Sequence, residues 1–345
     1  MLKAAVLGAT GNVGQIFVQL LEGHPWFEVT AVAASERSKG RTYGEASRWR
    51  QTRPVPESVK DMEVVDINPQ TVKNVDIVFS ALPSNIAGKT EEAFAAAGYV
   101  VVSNASAHRM DSDVPMINPE INCSHVSLIE EQRRRRKWDG AIVTNPNCST
   151  TVLTLPLKPI LDTFGIKNLI VATMQAISGA GYPGVASLDI VDNVIPYIGG
   201  EEEKVECETQ KILGTASKPA NFKVSSSCHR VPTIDGHMVA IFVETQKPAE
   251  PDAVAGSMSN FVGEPQMLKL PSAPEKPVIV MTEHDRPQTR LDRMAGRGMS
   301  TVVGRIRKDL VLNGVKFVAL GHNTIRGAAG CGVLNAEYLK VRKFI

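Results

Sequence analysis

Residues 3–14 read Lys-Ala-Ala-Val-Leu-Gly-Ala-Thr-Gly-Asn-Val-Gly, an apolar run that leads directly into three evenly spaced glycines. Apolar side chains then recur at the spacing of one helix face. A strand, a glycine turn and a helix in this order can bind the pyrophosphate of a dinucleotide at the helix N-terminus. A strand–helix turn without a ligand could carry the same glycines. The flanking strand and helix favour binding, and the predicted contacts are Gly8, Thr10, Gly11, Asn12 and Val13.

The segment after the second predicted strand indicates which dinucleotide is bound. It reads Ser-Glu-Arg-Ser-Lys at residues 35–39. An acidic residue near this place often holds the ribose 2′-hydroxyl of NAD, and Glu36 could do so. Two hydroxyl groups and two cations suit a 2′-phosphate better. The sequence therefore predicts NADP(H), held by Ser35, Arg37 and Ser38, with a solvated loop as the alternative.

The order of the remaining apolar runs predicts the fold class. Strand patterns alternate with helical patterns up to residue 144, which is typical of a parallel sheet covered by helices on both faces. The later runs are longer and rich in β-branched residues. We therefore predict an α/β protein with a Rossmann-type doubly wound parallel sheet in residues 1–147, completed by residues 324–345. Residues 148–323 are predicted to form a second α+β domain with a mixed or antiparallel sheet.

Composition argues against several classes of protein. Lys plus Arg exceed Asp plus Glu by only two (38 against 36) and aromatic residues make up 5%, so no nucleic-acid partner is expected. The arginines at 133–136 are expected on an exposed helix face. Since neither a membrane-spanning stretch nor an export signal is found, we expect a cytoplasmic protein without a membrane partner. The five cysteines form no CxxC pair, so neither a metal site nor a disulfide framework is predicted.

One cysteine lies in a sequence context that suggests chemistry. Asn-Pro-Asn-Cys-Ser-Thr, residues 145–150, separates a predicted strand from an apolar helix. The Cys148 thiol would therefore lie at a helix N-terminus, where the macrodipole and free N–H groups lower the pKa of a thiol. The same N–H groups could form an oxyanion hole for a substrate attacked by the thiolate. A lone cysteine is more often a small buried side chain. Its polar neighbours favour a catalytic nucleophile here.

A second polar cluster offers two histidines and an arginine near a predicted strand. A neutral imidazole could accept or return a proton, and chemistry alone does not choose between His229 and His237. Arg230 could bind a carboxylate through two hydrogen bonds. Gln175 ends a strand before a flexible turn and could orient a substrate. The stretch Glu-Glu-Glu-Lys, residues 201–204, could be part of a site or only the capped, solvated first turn of a helix.

These motifs together resemble those of the aspartate-β-semialdehyde dehydrogenases, in the branch shared by archaea and fungi. The resemblance covers both predicted domains. Its specific parts are the Asn-Pro-Asn-Cys motif and the Arg-x₆-His spacing from Arg230 to His237. The other matching stretches are Gly-Ala-Thr-Gly-Asn-Val-Gly (8–14), Ser-Asn-Ala-Ser (103–106), Gln-Ala-Ile-Ser-Gly-Ala-Gly (175–181) and Asn-Thr-Ile-Arg-Gly-Ala (323–328).

The resemblance implies a reaction and roles for the candidate residues. L-aspartyl-4-phosphate would be reduced by NADPH to aspartate semialdehyde and phosphate, a step toward lysine, methionine and threonine. Cys148 would be the nucleophile that forms a thioester, His237 rather than His229 the acid/base, and Gln175 an orienting residue. The substrate would be held by charged and polar side chains, which are Arg230, Glu201, Lys204, Arg109 and Asn104. The cofactor would also contact Ser178, Gly179 and Asn323. A homodimer or homotetramer is expected.

Two alternatives remain open at this point. Archaeal malonyl-CoA reductases resemble the same branch and share the Ser-Gly-Ala-Gly-Tyr-Pro-Gly stretch at 178–184. They tend to depart from the Asn-Pro-Asn-Cys pattern, which is intact here, and Arg230 with Glu201 suits an amino acid better than a malonyl group. A non-catalytic dinucleotide-binding protein could also keep the fold. Such a protein would be free to lose the thiol and the histidine.

Overall fold

The computed structural model describes residues 1–345 and contains two six-stranded sheets. All strands of the first sheet are parallel and lie in the order β3-β2-β1-β4-β5-β6. Their bounds are β1 (Leu2–Leu7), β2 (Phe27–Ala34), β3 (Val64–Asp66), β4 (Ile77–Ser80), β5 (Val100–Ser103) and β6 (Ala141–Thr144). This order confirms the predicted doubly wound sheet. Ligands of such sheets bind beyond the carboxyl ends of the strands, where the winding reverses between β1 and β4.

The second sheet is mixed, as predicted, and lies in the order β10-β11-β12-β9-β7-β8. Its strands are β7 (Ile166–Gln175), β8 (Lys223–Arg230), β9 (His237–Thr245), β10 (Val278–Val280), β11 (Thr301–Asp309) and β12 (Gly314–Gly321). The sequence analysis did not predict β8 or β11. β8 reads Lys-Val-Ser-Ser-Ser-Cys-His-Arg, which lacks the apolar alternation of a half-buried strand because it lies at the sheet edge.

The helix after the glycine turn and the helix that begins at Cys148 are present as predicted. Short turns of helix, which no periodicity predicts, occupy several loops. The helices are α1 (Asn12–Leu21), α2 (Tyr43–Ala46), α3 (Glu57–Lys60), α4 (Ser84–Ala96), α5 (Pro119–Asn122), α6 (Leu128–Arg136), α7 (Cys148–Phe164), α8 (Ser187–Ile190), α9 (Glu201–Ile212), α10 (Pro251–Ser259), α11 (Glu264–Met267), α12 (Thr289–Asp292) and α13 (Gly330–Val341). A π-helical turn covers Ile325–Ala329 and leads into α13. No helix is both long and apolar enough to cross a membrane.

The last helix returns to the first sheet. Val333, Ala336 and Leu339 of α13 are buried in the same apolar core as Phe17 of α1 and Phe79 of β4. A separate apolar core fills the space between α7 and the second sheet. The domain boundaries at residues 147 and 323 stay a prediction.

The arginine run in α6 is not uniformly exposed, and the expectation of a solvated helix face was wrong for its last member. Arg136 is half-buried and donates to Asp113 at 2.7 Å, to Asp111 at 2.7 Å and to Glu92 at 3.1 Å. Three carboxylates from neighbouring loops and a helix compensate for the partial desolvation of its guanidinium. Arg136 therefore fixes residues 111–113 to α6.

Candidate active site

Three strands of the second sheet bring three of the predicted side chains to one edge. Gln175 is the last residue of β7, Arg230 the last of β8 and His237 the first of β9. β8 runs parallel to β7 and β9 runs antiparallel to it, so these ends meet, and all three side chains are buried there. His229 points to the opposite face of β8, because successive side chains alternate along a strand. Its Nδ1 lies 3.1 Å from the carbonyl oxygen of Thr173.

Cys148 reaches the same place from the first sheet. It is the first residue of α7 and follows the loop after β6. Its Sγ lies 3.2 Å from Nε2 of His237. The thiol is partly exposed to a cavity of about 260 Å³ whose lining is mainly polar. The sulfur is therefore accessible to a small polar molecule between the two sheets.

The N-terminus of α7 is already capped by the residue before Cys148. The side-chain Oδ1 of Asn147 accepts hydrogen bonds from the backbone N–H groups of Ser149 at 2.8 Å and Thr150 at 3.3 Å. An asparagine at this position satisfies helix N–H groups that otherwise have no partner. These two amides are therefore already engaged by the cap, and an oxyanion hole at this helix N-terminus stays a prediction.

The hydrogen bonds of His237 indicate where its neutral ring carries the proton. The backbone N–H of Ala176 donates to Nδ1 at 3.0 Å, so Nδ1 must present a lone pair. In a neutral imidazole the other nitrogen is then protonated. The proton is therefore assigned to Nε2, which faces Sγ of Cys148. In this tautomer the ring is a hydrogen-bond donor toward the sulfur.

The pKa shifts of the thiol and the imidazole both favour the neutral forms of these groups. Burial, together with the charge of Glu201, raises the pKa of Cys148 to about 12, although Arg109 and Arg230 oppose the shift. Burial, with Arg230 adding to it, lowers the pKa of His237 to about 3. The expectation that the helix N-terminus lowers the pKa of this thiol was therefore wrong for the free protein, because desolvation outweighs the helix dipole. At neutral pH the pair is a thiol and a neutral imidazole.

Glu201 connects several polar side chains behind the cysteine. Its Oε1 accepts hydrogen bonds from Nδ2 of Asn147 at 2.9 Å and from Nε2 of Gln175 at 3.0 Å. The Lys204 ammonium lies 3.9 Å from the other oxygen. Arg230 donates to the carbonyl of Ala176 at 2.7 Å. An acidic group, an amide and two cations therefore surround the thiol, and they can match a substrate that carries charges of both signs.

The cavity in front of Cys148 gathers most of the predicted polar residues. Asn323 donates to Oγ of Ser178 at 2.8 Å and accepts from the backbone N–H of Gly236 at 2.8 Å, so it links the loop after β7 to the start of β9. The predicted residues that line this cavity are Val13, Asn104, Arg109, Cys148, Ser178, Gly179, Glu201, Lys204 and Asn323.

A second cavity, of about 580 Å³, connects the first one with the glycine loop, since Val13, Asn104 and Gly179 line both. Thr10, Gly11 and Asn12 line it as well. A Cβ atom at Gly11 would meet only a backbone oxygen, at 3.2 Å, so a ligand can approach this backbone closely. The N-terminus of α1 faces this space. The loop, the helix and the continuous cavity fit a dinucleotide that extends from the glycine loop toward Cys148.

Three groups of predicted residues do not line these cavities. Gln175, Arg230 and His237 are buried at the strand ends. Gly8 has φ +71° and forms the turn, with a hypothetical Cβ only 2.7 Å from the carbonyl of Ala81. Ser35, Arg37 and Ser38 lie on the turn after β2, and the structure does not bring them to either cavity. The contact between this turn and a 2′-phosphate stays a prediction.

The sequence analysis missed two charged residues that support the site. Glu208 is buried and accepts from Nη1 of Arg109 at 3.0 Å and from the backbone N–H of Asn147 at 2.5 Å. The Lys211 ammonium donates to the carbonyls of Arg109 at 2.5 Å and Val114 at 3.1 Å. Both follow Glu201 on one face of α9 at helical spacing, a signal that was available in the sequence.

Two family models match the chain. The semialdehyde dehydrogenase NAD binding domain matches residues 3–129, and the semialdehyde dehydrogenase dimerisation domain matches residues 157–326. The first range contains β1 to β5 of the first sheet, and the second range contains all strands of the second sheet.

Known proteins with the same fold match over almost the whole chain. The aspartate-semialdehyde dehydrogenase of Methanothermobacter thermautotrophicus is 55% identical, with 98% of this chain and 99% of that protein covered. The malonyl CoA reductase (NADP) of Metallosphaera sedula is 46% identical, with coverage of 100% and 98%. The crystal structure of the Candida albicans aspartate-semialdehyde dehydrogenase with NADP superposes with a TM-score of 0.92 at 42% identity and covers both chains fully. The chain therefore belongs to the aspartate-semialdehyde dehydrogenase family.

Proposed function

We propose that this protein reduces L-aspartyl-4-phosphate with NADPH to L-aspartate 4-semialdehyde and phosphate, through a thioester on Cys148. The observation that carries this proposal is the 3.2 Å contact between Sγ of Cys148, which lines a polar cavity that continues to the glycine loop, and Nε2 of the buried His237. A nucleophile, a proton donor and a dinucleotide groove in one space are what the reaction requires.

The charges around the thiol support an aspartyl substrate. Arg230 can bind the α-carboxylate and Glu201 the amino group, since each is buried beside the cavity with the complementary charge. Lys204 and Arg109 line the cavity and can receive the phosphate, with Asn104 nearby. Gln175 can orient the acyl group from behind.

The first chemical step forms the thioester. Sγ of Cys148 bonds to the acyl carbon, the carbon–oxygen bond to phosphate breaks, and the thiol hydrogen leaves in the hydrogen phosphate product. Nε2–H of His237 can stabilise the developing negative charge beside the sulfur. Cations at the phosphate end favour departure of the dianion.

The second step returns the thiol. When bound, the reduced nicotinamide supplies a hydride to the acyl carbon. Gly8, Thr10, Gly11, Asn12 and Val13 would hold the pyrophosphate end, and Ser178, Gly179 and Asn323 the nicotinamide end. His237 then acts as the acid/base: it passes a proton taken from solvent to the departing sulfur while the hemithioacetal collapses to the aldehyde, so the thiol is restored. We assign NADP(H) rather than NAD(H) from the hydroxyl groups and cations after β2, and the NADP named with the two relatives supports this choice.

Replacing Cys148 by Ala tests the proposal directly. Turnover with aspartyl phosphate and NADPH should fall by at least about 10³-fold, because no thioester can form. NADPH binding, followed by cofactor fluorescence, should stay within about twofold of wild type. Cys207→Ala is the matched control, because this thiol lies on α9 outside the cavity. Undiminished turnover of Cys148→Ala would remove the mechanism.

Trapping the intermediate identifies both nucleophile and substrate. Wild-type protein incubated with aspartate semialdehyde and NADP⁺, without phosphate, should gain the mass of an aspartyl group on the peptide that contains Cys148. An adduct on another cysteine would contradict the assignment.

Malonyl-CoA reduction is the second candidate, because a relative with that name is 46% identical. The same thiol could form a malonyl thioester. Glu201 opposes this reading, since a carboxylate beside the cavity repels a malonyl group and attracts an ammonium. Turnover of malonyl-CoA at a rate comparable with aspartyl phosphate would favour this candidate. A protein that binds NADPH but turns over neither substrate would be a non-catalytic member of the fold.

We also propose that the protein is a homodimer or homotetramer that associates through its second sheet. The face of β7 and β9 away from α7 carries apolar side chains, among them Ile170, which is 45% exposed, and Phe242. The matched dimerisation domain supports this assignment. Ile170→Glu should shift the sedimentation of the protein toward the monomer, and an unchanged profile would place the interface elsewhere.

A further inference from the structure

The dinucleotide cavity has a cationic side chain whose role the proposed function leaves open. Arg50 lines the cavity together with Asn12, beside the N-terminus of α1. Its guanidinium makes one hydrogen bond, from Nη1 to the carbonyl of Arg48 at 2.8 Å, and has no carboxylate within 4 Å. An exposed arginine without an acidic partner at the mouth of an anion site has free donors for a phosphate.

Gln15 holds the segment of Arg50 against the glycine loop. Its buried side chain donates to the carbonyls of Thr10 at 3.0 Å and Arg48 at 3.1 Å, and accepts from the backbone N–H of Arg50 at 2.9 Å. One buried amide therefore fixes the backbone of residues 48–50 relative to the loop that would hold the pyrophosphate. The position of the Arg50 backbone is therefore set by hydrogen bonds that also hold the glycine loop.

An aromatic ring on the other side of the cavity stacks on this arginine. The guanidinium carbon of Arg50 lies 3.4 Å from the ring centroid of Tyr182. Tyr182 belongs to the segment after β7, and its neighbours Gly179 and Gly181 line both cavities. Tyr182 is 56% exposed. This stack joins the glycine-loop side to the side of the catalytic strands.

We propose that Arg50 binds a phosphate group of the dinucleotide and that Tyr182 holds Arg50 in place, so that the pair closes over the bound cofactor. This inference rests on the proposed function. A guanidinium stacked on an aromatic ring keeps its edge donors free for a phosphate, while the ring restricts its rotamers. Cofactor binding thereby becomes coupled to the approach of the loop that carries Gly179.

Titration of cofactor into the full-length protein tests this role without relying on turnover. Arg50→Ala should raise the Kd for NADPH by at least about tenfold, as expected for loss of a charge-assisted contact. Arg48→Ala removes the same charge from the same segment without touching the cavity, and its Kd should stay within about twofold of wild type. Equal values for the two variants would overturn the proposal. NADH distinguishes the phosphates: loss of binding for both cofactors indicates the pyrophosphate, and loss for NADPH alone indicates the 2′-phosphate.

A double-mutant cycle tests the contribution of Tyr182. Tyr182→Ala should weaken NADPH binding, whereas Tyr182→Phe, which keeps the ring, should bind as wild type does. The double variant Arg50→Ala/Tyr182→Ala should bind no more weakly than Arg50→Ala, because the tyrosine acts through the arginine. Additive losses would overturn this coupling. If wild-type protein itself fails to bind NADPH, the proposed function fails, and if it binds and turns over while Arg50→Ala is normal, only this inference fails.

Discussion

At the residue scale, Cys148 shows two opposing effects on one thiol. The helix N-terminus and two arginines favour the thiolate, but burial raises the pKa to about 12. The free protein should therefore hold a neutral thiol at pH 7. The rate of alkylation of Cys148 by iodoacetamide should rise about tenfold per pH unit above pH 7, because only the thiolate reacts. Reaction followed by peptide mass spectrometry, with Cys148→Ser as the blank, measures this rate. A plateau at neutral pH would show that the sulfur is already ionised.

His237 on β9 and His229 on β8 allow a matched comparison of two imidazoles, since both strands flank β7. His237→Ala should lower kcat by about 10²–10⁴-fold, the usual contribution of a positioned proton donor or acceptor. His229→Ala should leave kcat near the wild-type value, because this ring lies on the other face of β8. Steady-state assays of both variants under saturating substrate decide between them. The reverse ranking would show that His229 on β8, and not His237 on β9, transfers the proton.

At the element scale, the π-helical turn Ile325–Ala329 packs directly on the first residue of α7. A Cβ atom at Gly327 would lie 2.7 Å from Cβ and 2.9 Å from Cα of Cys148. Gly327→Ala should therefore displace the nucleophile, lower kcat by about tenfold or more, and cost about 1–3 kcal/mol of stability. Assays of kcat and the urea midpoint measure both effects.

The control for this change is Gly256→Ala in α10. No atom lies within 4 Å of a Cβ at Gly256, so the substitution should leave activity unchanged and stabilise the helix by about 0.5–1 kcal/mol. Wild-type activity in Gly327→Ala would mean that α7 or the turn shifts to make room for the added methyl group without displacing the sulfur.

Local sequence patterns were sufficient for some elements of the site and not for others. The apolar run before the glycine loop and the strand before Cys148 lie where periodicity and turn residues predict them. β8, which ends in Arg230, was not predicted because its three serines interrupt the alternation of apolar residues that indicates a strand. The burial of Cys148 and His237 depends on tertiary neighbours. For that reason the direction of the thiol pKa could not be predicted from the motif alone.

At the scale of the whole molecule, a buried ion pair joins the two halves of the chain. Nη1 of Arg326 donates to Oε1 of Glu120 at 2.8 Å, and both side chains are fully buried. Arg326→Met would leave the Glu120 carboxylate buried without its cation, so stability should fall by about 3–5 kcal/mol. The exposed pair Arg342–Glu264 is the control, and Arg342→Met should cost about 1 kcal/mol or less. Urea midpoints for the two variants test this, and equal losses would contradict it.

The contact between Gly327 and Cys148 has a consequence for when the protein becomes competent during synthesis. Residues 325–341 follow every catalytic side chain along the chain, yet they complete the wall behind the nucleophile and fill the core of the first sheet. In a nascent polypeptide whose last helix is still inside the ribosomal tunnel, all the reactive side chains have been synthesised. The segment that packs against Cys148 and positions it is not yet in place. Truncation after residue 324 should therefore yield a chain with every reactive group present and no thioester formed.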